Sequence, residues 1–236
     1  MKKILINYGT ADYKKTQDEN SRTGLSVGGF DDVWMYGPDS LSKEFRTDNS
    51  SILTQSRGAG YWLWKPYIMR DAFSKLDDGD VVVYADSASV FISSFDPIIN
   101  KCVEGVGVLG FELESFHTNS IWTKGDCFFQ MKADEYKDLP QIMASFVVMS
   151  KNEFSLNFIG DWLSFCCQES VITDAPNVHQ TNYDDFKDHR HDQSVFSLCG
   201  RKYGIDVHPD VSQWGVLSGA IPVEEQLIYH HRSKLV

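Results

Sequence analysis

The chain has 236 residues, a length that suits one large domain and buries roughly 70–75% of its unfolded surface without a disulfide or metal staple. Hydrophobic residues at 42% and charged residues at 23% exclude a disordered or fibrous chain. With 33 acids against 22 lysines and arginines the net charge is −11, which opposes a nucleic-acid or anionic-membrane partner, because both are held by basic side chains.

Met1-Lys2-Lys3-Ile4-Leu5-Ile6-Asn7 turns polar after three apolar residues, too soon for the 7–15 of a signal peptide, so it reads as a first buried strand ending in a turn. Residues 12–56 are polar and weakly periodic, with no element that can be placed. From Lys65 to Leu76 a helix is predicted: Pro66 suits its first turn, Ile68, Met69, Ala72, Phe73 and Leu76 share one face, and Gly79 lies past its end. Asp80 to Asp86 follows as a β-branched strand buried on both faces, and helix then buried strand is the grammar of an α/β layer fold. A helix at 96–103, a strand at 106–111, a strand at 144–149 and a helix with Phe154, Phe158, Trp162, Leu163 and Cys166 at helical spacing extend it. The stretch 173–191 reads as loop, 193–198 as a short helix and 205–208 as a late strand. No repeat, linker or apolar run of about 20 residues interrupts residues 1–236, so a single domain is expected. Cys102, Cys127, Cys166, Cys167 and Cys199 are odd in number and lack C-x-x-C spacing, which points to reduced core thiols in a cytoplasmic protein.

Two motifs match in letters and fail in context. Gly105-Val106-Gly107-Val108-Leu109-Gly110 spells the dinucleotide pattern, but its glycines fall inside the predicted strand instead of between a strand and a helix. Gly24-Leu25-Ser26-Val27-Gly28 spells a nucleophile elbow with no strand leading into it, so a flexible loop is expected. No P-loop, H-E-x-x-H or zinc-spaced cysteine–histidine cluster occurs.

Three segments carry chemistry. Arg57 to Tyr67 sets two glycines, four aromatics, Arg57 and Lys65 before a helix, which suits either an aromatic core cluster or anion binding at a helix start. Asp86 closes a central strand, where open α/β sheets bind ligands, or else caps the next turn. His189 to Ser194 opens a helix, with Asp192 serving either as N-cap or, beside His191 and Gln193, in acid–base or substrate-binding work.

Gly58-Ala59-Gly60-Tyr61-Trp62-Leu63-Trp64-Lys65-Pro66-Tyr67, Val83-Tyr84-Ala85-Asp86-Ser87 and His189-Arg190-His191-Asp192-Gln193-Ser194 together resemble the small sugar-nucleotide-dependent glycosyltransferases of the GT-A fold found in bacteria and large DNA viruses. The resemblance implies a single-domain α/β, Rossmann-like fold with a mixed central sheet flanked by helices. It implies transfer of a hexosyl or related sugar from a nucleoside diphosphate sugar, expected to be a UDP sugar, to a glycan or other hydroxyl acceptor, as in polysaccharide biosynthesis. Tyr8, Gly9, Thr10, Arg57, Lys65, Asp86 and Ser87 would bind the donor. His191, Asp192 and Gln193 would meet the sugar or acceptor, and Asp192 and Asp86 would be the catalytic pair. Asp86 matches the first aspartate of the family's Asp-X-Asp metal motif, but Ala88 stands where the second belongs. A manganese or magnesium ion would then be held by Asp86, by His230 or His231 and by the diphosphate; metal-independent transfer using Lys65 or Arg57 is the other course. The rival readings are a non-catalytic nucleotide-sugar-binding module on the same fold and a phosphohydrolase using Asp86.

Overall fold

The computed structural model describes residues 1–233. Among these the strands are β1 (Lys3–Tyr8), β2 (Asp32–Tyr36), β3 (Val81–Ala85), β4 (Val90–Phe91), β5 (Val108–Glu112), β6 (Ile142–Ser150), β7 (Asp206–Pro209) and β8 (Ile228–Tyr229). Six of them form one sheet in the order β2-β1-β3-β6-β5-β7, and β4 pairs with β8 in a small second sheet. β1 runs parallel to β2 and β3, β6 runs antiparallel to β3 and β5, and β7 is parallel to β5. This is the mixed sheet expected.

The pleat of β3 sorts its side chains between two cores. Val82 and Tyr84 join the layer built by the helices Trp64–Ser74, Glu153–Cys166 and Asp192–Tyr203; Val81, Val83 and Ala85 join the layer of the helix Asp96–Glu104. Every side chain of β3 is buried, as its unbroken apolar run requires. β6 breaks its alternation where it passes the end of β3. Leu109 of β5 faces Val148, yet Phe111 faces Met143, a bulge that shifts the register of β6. The shifted stretch of β6 includes Ala144 and Ser145, whose carbonyls accept from Lys65 Nζ and from the amide of Asp86 just past the end of β3.

Four sequence expectations are corrected. The stretch from residue 12 to 56 holds a ten-residue helix, Lys14–Thr23, as well as β2 and short helices at Lys43–Asp48 and Ser50–Leu53. Gly24–Gly28 is no loop but a wider helical turn continuing the first of these; Ser26 is exposed, and Gly24 and Gly28 press on Leu5 and Phe30. Of the other glycine motif only Gly110 sits in a strand. Gly105 and Gly107 make the turn between the helix Asp96–Glu104 and β5, which reverses the order a dinucleotide site needs. The helix expected over 193–198 runs from Asp192 to Tyr203 and stops at Gly204 in the left-handed conformation. The five cysteines are free, and no helix among the described residues is long and apolar enough to cross a membrane.

Candidate active site

β1 and β3 end side by side, and the Ser87 hydroxyl ties them by donating to the Tyr8 carbonyl at 2.7 Å. Asp86 stands one residue beyond β3. Its Oδ1 accepts from the Tyr84 hydroxyl at 2.6 Å, and its amide donates to Ser145 O at 2.8 Å. Burial, then the charge of Asp86, raises the Tyr84 pKa, which keeps the phenol protonated as a donor.

Beneath Asp86 lies Lys65. Its ammonium is 2.8 Å from Asp192 Oδ2 and 3.6 Å from Asp86 Oδ1, and it donates to the Ala144 carbonyl at 2.9 Å. The Lys65 and Asp192 side chains are only 4% and 5% exposed, so this is a buried ion pair. Burial works against the Lys65 charge, but Asp192 and Asp86 more than offset it and leave its pKa above the ordinary value. For Asp192, burial outweighs the attraction of Lys65 and, helped by repulsion from Asp86, holds the carboxyl at about 6. At neutral pH one cation therefore stands between two carboxylates. The N-cap of the helix is His191, so Asp192 is its first residue and not its cap, contrary to that alternative in the sequence.

Lys65 is carried here by a turn of uncommon conformation. Gly58, Ala59, Gly60, Tyr61 and Trp62 all have positive φ, a left-handed turn that costs non-glycine residues about 1–2 kcal/mol each. Gly60 is required in it: a Cβ there would lie 2.7 Å from Leu53 Cα. The Trp64 indole fastens the turn by donating to the Gly58 carbonyl at 3.0 Å, and Trp64 stacks on Tyr8 at 3.8 Å.

Two hollows meet at this point and share Trp62, Asp86, Ser145 and Arg232. The first, of about 550 Å³, is lined by Tyr8, Thr10, Trp64, Ser87 and His230 among others; Gly9 lies outside the lining, against the Gln17 side chain. The second, of about 560 Å³, holds Arg57, Lys65 and Arg190 to Gln193. The structure thus brings the predicted donor residues Tyr8, Thr10, Asp86 and Ser87 together but sets Arg57 and Lys65 on the other side of Asp86. Arg57 is moreover paired with Asp188 at 2.7 Å and Asp174 at 3.2 Å; the Asp188 contact leads in raising its pKa. His191 and Gln193 line the second hollow with their polar ends turned inward. His191 Nδ1 pairs with Ile172 O at 2.7 Å, and the Gln193 amide donates to Gln141 Oε1 at 2.9 Å.

The pairing of β4 with β8 brings the C-terminal segment back across the site. His230 Nε2 comes 3.9 Å from Asp86 Oδ2, while His231 turns away to Ser233, as alternation in an extended segment demands. Burial lowers the His230 pKa to about 4, so the imidazole is neutral and able to act as a ligand. Among the described residues no group of three histidine, cysteine or acidic side chains is arranged to hold a metal ion. Asp86 and His230 offer one oxygen and one nitrogen, so a cation fits only if a ligand and water complete its shell. Ala88 is buried and leaves no acid to add.

Sequence reasoning did not single out Arg232, the cation that lines the first hollow, or Arg190, Trp214 and Asp210 in the second. Both arginines adjoin histidines, Arg190 between His189 and His191 and Arg232 after His230 and His231, where an arginine facing a cavity and a solvated one look alike.

No protein-family model matches the chain, and no curated protein does. Solved structures match its fold throughout. Mouse xyloside xylosyltransferase 1 superposes with a TM-score of 0.52 at 10% identity, covering 100% of this chain and 99% of that one. A glycosyltransferase involved in the glycosylation of the major capsid of PBCV-1 gives 0.52 at 12% identity, covering 99% and 95%. The bifunctional glycosyltransferase WbbM gives 0.57 at 11% identity over 98% of this chain and 46% of that one. What is shared at such identities is the fold, and it is the GT-A-type glycosyltransferase fold that the sequence resemblance implied.

Proposed function

We propose that the protein transfers a sugar from a nucleoside diphosphate sugar, a UDP sugar in the first instance, to a hydroxyl acceptor. The observation that carries this is the meeting of two hollows at Asp86, with the strand-end residues Tyr8, Thr10 and Ser87 on one side and the buried Asp192 on the other. A donor in the first hollow places its anomeric carbon near Asp86, and an acceptor in the second reaches it past Asp192.

In the reaction the acceptor oxygen bonds to the anomeric carbon, the bond from that carbon to the diphosphate breaks with its electron pair going to the diphosphate oxygen, and the proton of the acceptor hydroxyl passes to that departing oxygen. Lys65 is the positioning residue: it holds Asp86 and Asp192 in place from below. Asp192 holds the sugar or acceptor by its hydroxyls. Arg232, at the junction, neutralises charge on the leaving diphosphate. Asp86 and His230 would hold a manganese or magnesium ion completed by diphosphate oxygens, and when bound it supplies further positive charge to the leaving group.

Release of nucleoside diphosphate is the direct test, measured with a panel of UDP, GDP and ADP sugars with and without manganese. Nucleotide affinity supplies a second. Charge-assisted hydrogen bonds are each worth roughly 1.5–3 kcal/mol, so UDP should bind over tenfold more tightly than uridine. Equal affinities for nucleoside and diphosphate across the bases, with no turnover of any donor, would refute the reading.

A further inference from the structure

In the second hollow Arg190 lies flat on Trp122, its guanidinium carbon 3.8 Å from the ring centroid. Its Nη1 reaches Gln141 Oε1 only at 3.5 Å, and that oxygen already accepts from Gln193 at 2.9 Å. Among the described residues the arginines with a carboxylate at ion-pair distance are Arg22, Arg57 and Arg201; Arg190 is not one of them. Asp188 and Glu114 are near enough to favour its charge, yet burial and then the charge of Arg232 prevail and bring its pKa down to about 10. Arg232 lines the same hollow, its guanidinium 5.4 Å from the Trp214 ring.

A guanidinium presents five N–H donors in a planar fork suited to two oxygens of one anion. Arg190 is half-buried, held flat by a tryptophan and repelled by a second arginine, and its fork has almost no internal acceptor. An anion between Arg190 and Arg232 would satisfy the donors and relieve the repulsion. The leaving diphosphate is not that anion, because Arg190 does not line the first hollow. Glu114 and Asp210 on the walls of the second hollow suit hydroxyl groups, which donate to carboxylates.

Resting on the glycosyltransferase reading, we propose that the acceptor carries an anionic group, a carboxylate or a phosphate, which docks on Arg190 beside Arg232. The hollow thus sorts its guest, with hydroxyls toward the acids and the anion toward the arginine pair.

The test uses the full chain and the sugar nucleotide it hydrolyses fastest without an acceptor. Methyl hexosides of gluco, galacto and manno configuration are compared as the neutral sugar, the 6-carboxylate and the 6-phosphate, and kcat/KM is measured for each. A charge-assisted pair predicts that one anionic form exceeds its neutral parent by roughly tenfold to a hundredfold, and the better anion identifies the group. Arg190→Gln should bring that ratio close to 1. The ratio is internal to one preparation, so partial loss of folded enzyme does not affect it; Arg190→Lys should restore part of it. Donor turnover with equal use of neutral and anionic acceptors in all three configurations would overturn this proposal alone, as would a preference that survives in Arg190→Gln. Absence of turnover with every sugar nucleotide would overturn the transferase reading and this proposal with it.

Discussion

Replacing Lys65 by methionine keeps most of the stem volume and removes the charge, and the structure states what that should cost. At an effective dielectric of about 20, a unit pair at the 2.8 Å separation from Asp192 attracts by about 6 kcal/mol, and one at the 3.6 Å from Asp86 by about 5 kcal/mol. Most of this offsets the desolvation of three charges. What the variant loses is the compensation of a carboxylate that stays buried, and breaking such a pair costs about 3–5 kcal/mol. For a chain of this size that is a fall of roughly 10 °C in Tm.

The pH dependence identifies the cause. With the Asp192 carboxyl at about 6 against an ordinary 3.8, the folded state binds the extra proton between those values, so this group's contribution to stability falls as pH rises through that window. Removing Lys65 pushes the upper edge higher, and the deficit relative to wild type should be larger at pH 8 than at pH 5. Urea melts at both values read this, and the double variant Lys65→Met/Asp192→Asn should recover part of the loss. A deficit under about 1 kcal/mol at pH 8, or one that does not shrink toward pH 5, would refute the reasoning.

Three further outcomes are expected. Manganese should bind weakly to the free protein and more tightly with UDP, by calorimetry; Asp86→Ala should abolish that coupling and His230→Ala reduce it, with His231→Ala doing little, and an affinity indifferent to nucleotide or full activity in excess chelator would leave the arginines as the leaving-group stabilisers. Asp192→Asn should lower donor turnover by about a hundredfold or more while the protein still melts cooperatively, and near-normal turnover would remove Asp192 from the catalytic assignment. Burial lowers the pKa values of His189, His191 and His230, so the folded state binds fewer protons than the unfolded one below about pH 6.5. In chelator, stability should therefore fall as pH drops from 6.5 toward 4, with about 3 kcal/mol from His230 alone, and His230→Gln should flatten the decline.

What could be read from the sequence follows from how each element is buried. β3 and the helices Trp64–Ser74 and Glu153–Cys166 bury apolar faces, and their periodicity placed them within a residue or two. The helix Lys14–Thr23 lies against the sheet just as firmly but buries Thr16, Gln17, Asn20 and Ser21. Its partner on β1 is Asn7, which donates to Asn20 at 2.8 Å and Ser21 at 2.9 Å, while Gln17 donates to Asn7 at 3.0 Å and to the Tyr36 carbonyl at 2.7 Å. A face satisfied by hydrogen bonds leaves no hydrophobic period to detect, so the helix could not be placed. The motifs around Asp86 and Asp192 were legible as chemistry for the converse reason: a carboxylate set against an apolar run calls for a partner.

That partner was not legible. A lysine next to glycines at a helix start looks like a phosphate ligand, because sequence shows the local chain and not what faces it across the fold. Across the fold are Asp192 and Asp86, 127 and 21 residues away, and both stand at ion-pair distance from the lysine, which the local sequence does not show. Among the described residues the arginine lining the first hollow is Arg232, brought there by the short β4–β8 pairing near the C-terminus. Lys65, Asp86 and Asp192 together carry a net charge of −1 when all are ionised, and His230 beside them is neutral. Arg232, which lines both hollows beside Asp86, brings that balance to zero, so the carboxylates at the junction are matched by one cation from within the fold and one from the C-terminal segment.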